Sequence, residues 1–224
     1  MMLDTLQLMN FAAENEKLKA FSDFLKSENA KYNLTAVTDD KEIISKHFFD
    51  SLVGERFLEK GANVCDIGSG AGFPLIPLAV LRGDCSFTGV DSTQKKVNFI
   101  NAACAMLDIK NCYAVHARAE EIKPRGSFSA VTARAVASLN TLCEYCLPAL
   151  RVDGVMIAYK GSAAEEEVAE AEKALVVLGG RVEEIFRYTL PTGEDRAIIK
   201  IRKTAPTPTK YPRPGNKPRL KPIK

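Results

Sequence analysis

The stretch "VCDIGSGAGFP" at 64–74 constrains the fold of this chain more than any other. A β-rich run breaks there into Gly68, Gly70 and Gly72, and an apolar helical pattern, "LIPLAV", follows. Glycine adopts positive φ without strain and carries no side chain, so such a turn lets backbone approach a ligand and opens a helix whose first amides face it. A strand–turn–helix unit needs a sheet to sit in, and the texture after Gly61 supplies one. Short β-rich runs at Asn63–Ile67, Ser86–Asp91, Cys112–His116, Ser129–Ala133 and Gly154–Tyr159 alternate with amphipathic helical stretches. That alternation predicts an α/β fold with a mostly parallel sheet. After an acidic, alanine-rich helix near Ala163–Leu178, Arg181–Leu190 and Arg196–Lys203 read as strands. The turn-rich "PTGED" between them predicts a C-terminal antiparallel hairpin.

Residues 1–60 are expected to be mainly helical. Leu18, Phe21 and Leu25 recur at helical spacing, as do Ile44, His47, Phe48, Ser51 and Leu52 after Asp39 and Glu42, which have capping-box spacing. The expected organisation is an N-terminal helical extension, 1–60, forming one structural unit with a core at 61–203, followed by a tail at 204–224. That tail holds six of the 31 Lys/Arg residues and no acid, leaving 25 basic against 28 acidic residues elsewhere, so the basic excess lies wholly in the tail. It also holds six of the eleven prolines and is expected to be neither helix nor central strand, but extended, exposed and mobile.

Composition excludes several classes. No apolar run approaches the roughly 18 residues of a membrane-spanning helix, and the N-terminus carries acids where a signal peptide would be basic. The chain reads as cytoplasmic, with no membrane partner, and as a monomer. Its six cysteines are scattered through strand-like and helix-like runs, which suits reduced, buried thiols. Cys143 and Cys146 form the one Cys-x-x-Cys, with no second pair and no histidine close in sequence, so no metal site is expected.

The residues flanking the glycines select the ligand. A dinucleotide turn has the spacing Gly-x-Gly-x-x-Gly, but Phe73 stands at the third glycine position and Gly72 comes one residue early. Asp66 ends the preceding strand, and a carboxylate about 5 Å from a pyrophosphate would be repelled by roughly 3 kcal/mol at an effective dielectric near 20. It suits a cation. S-adenosylmethionine, with a sulfonium and an ammonium against one carboxylate, fits both the acid and the glycines. Asp91 lies 19 residues beyond Gly72, at the predicted C-terminal end of the second strand, where an acid can accept both ribose hydroxyls; it also stands where it can cap the helix that "STQKK" begins. His116 through Glu120 close the third strand and Arg134 the fourth, bringing further polar groups to the same edge.

With these residues in place the chain resembles the bacterial guanine-N7 methyltransferases of small-subunit (16S) ribosomal RNA, the RsmG or glucose-inhibited division protein B family. The resemblance runs through "YNLTAV" at 32–37, "HFFDSL" at 47–52, "DIGSGAGFP" at 66–74, "VDSTQKK" at 90–96, "RAEE" at 118–121, "ARAVASL" at 133–139, "KG" at 160–161 and "YPRPGNKP" at 211–218. The glycine motif is shared by most methyltransferases of the Rossmann type, whereas "NLTA", "HFFDSL" and "ARAVASL" together are particular to this family. One departure is Leu75, where the family often has glycine.

The resemblance implies a Rossmann-like class I methyltransferase using S-adenosylmethionine on small-subunit rRNA, naked or as ribonucleoprotein. It places Gly68 and Phe73 at the methionine end of the cofactor, Ala119 and Glu120 beside the adenine, and Arg134 completing the site with Asp66, Gly70 and Asp91. It also puts Asn33, His47 and Lys160 near the substrate, although His47, on an apolar helical face, equally suits a hydrogen-bonded core histidine. Guanine N7 carries an in-plane lone pair at neutral pH, so no catalytic acid or base is expected, only positioning and exclusion of water. RNA contacts are expected from Arg196, Lys200, Lys210, Arg213, Lys217 and Arg219. A nicotinamide-dependent dehydrogenase is opposed by Phe73 and Asp66, and a non-catalytic RNA-binding module by the intact cofactor turn. A methyltransferase acting on another RNA, a protein or a small molecule shares the whole cofactor argument and is opposed by the basic tail and the family motifs.

Overall fold

The structure is a computed structural model that describes residues 3–32 and 34–224. Its centre is a seven-stranded sheet in the order β3-β2-β1-β4-β5-β7-β6. The strands are β1 (Asn63–Ile67), β2 (Ser86–Asp91), β3 (Cys112–His116), β4 (Phe128–Arg134), β5 (Leu150–Lys160), β6 (Gly180–Thr189) and β7 (Asp195–Lys203). The first five run parallel, and β7 lies antiparallel between β5 and β6. This is the expected mostly parallel sheet with a C-terminal hairpin. The strand β5 begins four residues earlier than "GVMIAY" suggests, because Leu150 pairs with Phe128 before the register slips and Val155 pairs with Ala130.

Alternation of side chains along each strand divides the apolar interior in two. Val64, Phe87, Ala130, Ile157, Tyr159 and Ile198 face one core; Cys65, Ile67, Val131, Met156, Ala158 and Ile199 face the other. Against the first core pack α1 (Thr5–Glu14), α2 (Glu16–Tyr32), α5 (Leu75–Leu81) and α6 (Gln94–Met106). Against the second pack α7 (Leu139–Cys146) and α8 (Ala164–Leu178). The N-terminal helices share the sheet's core: Phe21 meets the Phe73 ring at 5.5 Å, and Phe24 stacks on Phe99 of α6 at 5.3 Å. All six cysteines are buried free thiols.

Between α2 and β1 the chain follows one winding rod of mixed helix: α3 (Asp40–Glu42), a π-helical turn at Ile43–Phe49, α4 (Asp50–Leu52) and a 3₁₀ turn at Val53–Phe57. Asp39 caps its start by accepting from the Glu42 amide at 3.1 Å, but the capping box is only half formed, since the Glu42 carboxylate takes Lys46 instead. The π-turn was not anticipated from the apolar periodicity. Such turns re-aim the side chains that follow them and concentrate at functional sites.

The tail corrects its expectation. Residues 204–224 contain a short helix, α9 (Lys217–Leu220), in which Pro218 is buried at a position that tolerates proline, near the helix start. Arg213 grips the buried Glu144 of α7, and Tyr211 and Ile223 pack on the second core. The prolines did not keep the segment off the protein.

Candidate active site

The glycine turn lies where β1 ends, and all three of its glycines have positive φ: 73° at Gly68, 55° at Gly70 and 86° at Gly72. Space as well as conformation demands glycine at 68, where a Cβ would lie 2.6 Å from a Val136 methyl. Asp91 holds the turn down. Its Oδ2 accepts from the Gly70 amide at 2.9 Å and its Oδ1 from the Thr93 amide at 2.8 Å, so one carboxylate ties the glycine turn to the residue that begins α6, although Thr93 and not Asp91 is that helix's N-cap. Ser69 adds a second tie, donating to the Asp66 carbonyl at 2.9 Å and accepting from the Val90 amide at 3.1 Å.

Beside this turn is a cavity of about 160 Å³. Asp91, Ala119 and Glu120, expected on the adenosine side, line it, and so does Gly68, which was expected at the methionine end. Ser92, Val136, Tyr145, Asn216 and Arg219 also line it and were not foreseen there. The Glu120 carboxylate is held by Arg118 Nε at 2.9 Å. Val136 belongs to the quoted "ARAVASL" and Asn216 to "YPRPGNKP", so both were in view; Tyr145 had no signal beyond its place on α7.

Asp66, Phe73 and Arg134 are not in that wall. Asp66 and Arg134 point from the opposite face of the sheet, the face of Val64 and Ala130, into a second cluster. Asp66 is 1% exposed and its Oδ1 accepts from Thr132 Oγ1 at 2.7 Å. Its Oδ2 is the one buried side-chain polar atom without a hydrogen-bond partner among the described residues. Burial pushes this carboxyl up to about 6, only partly opposed by the Thr132 hydrogen bond and the Arg134 charge. A buried, half-satisfied carboxylate next to a glycine turn is what a cationic ligand would complete.

In the same cluster Arg134 Nη1 donates to Asp50 Oδ2 at 2.7 Å and to the Lys46 carbonyl at 3.0 Å, while its guanidinium sits 5.2 Å from the Phe73 ring centre. Asp50 is buried, and its Oδ1 accepts from the Tyr188 hydroxyl at 2.7 Å. His47 stacks on Phe73 at 4.6 Å, with Nε2 at 2.9 Å from the Thr35 hydroxyl and Nδ1 at 3.1 Å from the Lys46 carbonyl. Burial, and then the Arg134 charge, push His47 down to about 4, so it is neutral at physiological pH. The histidine is thus a hydrogen-bonded ring in an aromatic stack that also borders the site. Asp50 and Thr35 were missed as individuals, although both lie inside quoted motifs.

The remaining expected contacts divide. Asn33 lies outside the described residues. Lys160 is engaged in structure: its Nζ donates to Glu167 Oε2 at 2.6 Å and to the Ala137 carbonyl at 2.8 Å, and the same Glu167 oxygen accepts from the Leu139 amide at 2.8 Å. This ties the loop after β4 to α8. Lys200 is paired with Glu183 at 3.1 Å. Arg213 is committed to Glu144 at 2.6 Å through Nη2, with its amide and Nε on the same carboxylate. Lys210 and Lys217 are exposed, Arg196 is half-buried beside the end of β5, and Arg219 stands in the cavity wall. Arg213 is committed to Glu144, whereas Lys200 shares the one Glu183 carboxylate with Arg202.

A parallel sheet with a glycine turn after β1, an acid at the end of β2 and a cavity across the β1 and β2 ends defines the Rossmann-like class of S-adenosylmethionine-dependent methyltransferases. A solved S-adenosylmethionine-dependent methyltransferase from Aquifex aeolicus shares this fold, with a TM-score of 0.56 over 78% of this chain and 97% of that one at 19% identity. Residues 14–197 match the family described as rRNA small subunit methyltransferase G, or GidB, and the chain belongs to that family. It is 42% identical to the ribosomal RNA small subunit methyltransferase G of Lactobacillus helveticus, covering 94% of this chain and 91% of the relative. The protein of the same name from Acetivibrio thermocellus is 44% identical over 93% of this chain and 88% of its own. S-adenosylmethionine is accordingly the cofactor, and the residues present fit it. Asp91 and Glu120 place carboxylates beside the cavity, the glycines permit close approach, and the buried Oδ2 of Asp66 has no hydrogen-bond partner among the described residues.

Proposed function

We propose that this enzyme transfers a methyl group to N7 of a guanine in small-subunit (16S) ribosomal RNA, naked or within a ribonucleoprotein, and does so in the cytoplasm as a monomer. The observation that carries the reading is the buried, half-satisfied Asp66 carboxylate at the glycine turn, in a chain whose relatives are named for the rRNA reaction. Bound S-adenosylmethionine supplies an electrophilic methyl group. The chain's own residues then have three tasks. The Gly68–Gly72 turn and Asp91 fix the cofactor's backbone approach and ribose; the Phe73–His47 stack and the Arg134–Asp50 pair form a dry, rigid floor against which the base is positioned; and the exposed Lys210 and Lys217 of the C-terminal segment, with the half-buried Arg196 of β7, meet phosphate. No proton has to move before transfer, because N7 already presents a lone pair, and His47, pushed down to about 4, is too weak a base to be needed for one.

Nucleoside mass spectrometry of 16S rRNA from cells with and without the gene tests this. The expected result is loss of one 7-methylguanosine in the deletion strain and its return on complementation. Unchanged 7-methylguanosine content would exclude the assignment and favour another substrate for the same cofactor site.

A further inference from the structure

The cavity at the ends of β1 and β2 is not closed by the methyltransferase core alone. Asn216 and Arg219, from the C-terminal segment, stand in its wall together with Asp91, Ala119 and Glu120. They are connected to the opposite wall through one arginine: Arg118 holds Glu120 Oε1 with Nε at 2.9 Å and Asn216 Oδ1 with Nη2 at 2.9 Å. Behind them the segment is anchored to α7. The fully buried Glu144 carboxylate takes three groups of Arg213, the amide at 2.8 Å, Nε at 2.9 Å and Nη2 at 2.6 Å, and Arg213 Nη2 also caps the Lys221 carbonyl at 2.8 Å. One helical turn earlier, Thr141 Oγ1 donates to the Pro218 carbonyl at 3.2 Å. Tyr145, next to Glu144, lines the same cavity. A single helix therefore presents one side chain to the cavity and two to the segment that closes it.

We propose that residues 211–221 are part of the cofactor site: Asn216 and Arg219 form the outer wall against the purine end of S-adenosylmethionine, and the Glu144–Arg213 pair is the latch that positions them. The inference rests on the cofactor reading above and goes beyond it, since it removes these residues from a freely moving RNA arm. The chemistry is suited to the task. A guanidinium plane packs on a purine face, and a carboxamide offers both a donor and an acceptor to a polar heterocycle edge. A buried carboxylate taking three hydrogen bonds from one arginine is costly to open, so the wall is held in place and not recruited on demand.

The test is equilibrium binding of S-adenosylhomocysteine by calorimetry, together with thermal melting of the ligand-free protein. The double variant Asn216→Ala/Arg219→Ala alters two exposed side chains and is expected to melt like the wild type while binding S-adenosylhomocysteine about tenfold more weakly. Arg219→Lys, which keeps the charge but loses the plane, is expected to recover little of the loss. Arg213→Gln is expected to weaken binding at least as much and to speed hydrogen exchange of the α9 amides; if it fails to fold, the double variant carries the test. Double-variant affinity within twofold of wild type overturns the proposal, as does a loss confined to RNA affinity. A wild-type protein that binds no S-adenosylhomocysteine overturns the cofactor reading and this inference together.

Discussion

The two sides of the glycine turn are built on different principles. The inner wall of the cavity is made of strand ends: Asp91 closes β2, Ala119 and Glu120 follow β3, and the carboxylates of Asp91 and Glu120 take backbone amides or a residue two positions away. The other side, around Phe73, is made of contacts that span the chain. Arg134 reaches Asp50 across 84 residues, and Asp50 reaches Tyr188 across 138. The first side inherits its geometry from the sheet, so a change there removes a ligand contact. The second is a buried polar network whose members hold one another, so a change there leaves a partner stranded.

The largest expected effect sharpens this contrast. Asp50→Ala leaves the Arg134 guanidinium, only 15% exposed, and the Tyr188 hydroxyl without their acceptor. Removing one member of a buried pair costs about 3 kcal/mol or more, so the variant is expected to lose that much in urea unfolding and to lose turnover. Asp50→Asn should recover part of the stability by keeping an acceptor for one partner. An Asp50→Ala protein as stable as the wild type would mean that the network is ornamental.

On the cavity side, Asp91→Ala is expected to weaken S-adenosylhomocysteine binding by about 1.5–3 kcal/mol, the range for lost hydrogen bonds to a charged group. Calorimetry reads it directly. Because Asp91 also accepts from the Gly70 and Thr93 amides, the same variant should loosen the turn, seen as faster exchange at those two amides. Unchanged affinity would remove Asp91 from the site and leave it as a tie between the glycine turn and the start of α6.

How far these features were legible from sequence follows the same division. The bounds of β1, β2 and β3, and the gathering of Asp91, Ala119 and Glu120 at one cavity, could be read directly, because local pattern sets where a strand stops and a parallel sheet brings those ends to one edge. The Asp50–Arg134 pair could not, since nothing in "HFFDSL" says which residue 84 positions away will meet it. Lys160 and Arg213 were read as free cations for the same reason: their carboxylates, Glu167 and Glu144, lie on helices whose docking depends on the tertiary fold. The tail was misread because proline content argues against regular structure but says nothing about burial, and Pro218 is buried at the start of a helix. The π-turn at Ile43–Phe49 was missed because a period of 3.6 residues fits its flanks equally well.

A smaller effect links the two sides through Asp66. Its folded carboxyl titrates at about 6, above the ordinary value of 3.8, so between those values the folded protein binds more protons than the unfolded chain. Asp66 therefore contributes stability that declines as pH rises through that window, in the ligand-free protein. A cation bound at Oδ2 favours the ionised form, and binding should release a proton near pH 6. S-adenosylhomocysteine affinity is expected to fall up to about tenfold from pH 6 to pH 5, with a buffer-dependent binding enthalpy, and Asp66→Asn should flatten both. Affinity independent of pH in the wild type would show that the ammonium is not met here.

The smallest expected effect is none at all, in the pH dependence of the chemical step. His47 is the ring nearest Phe73, and burial and the Arg134 charge hold it at about 4, so it stays neutral from pH 6 to 9 and undergoes no change of charge that could be felt at the methyl group. Asp66, with cofactor saturating, is held ionised over the same range by the charge it neutralises. Lys160 is fixed between Glu167 and the Ala137 carbonyl. Guanine N7 needs no deprotonation. Single-turnover methyl transfer at saturating RNA and cofactor is therefore expected to vary by less than about twofold between pH 6 and 9. A rise of one log unit per pH unit would require a general base. It would also make the Phe73 side a catalytic centre in its own right, and no longer a rigid floor opposite the cofactor cavity.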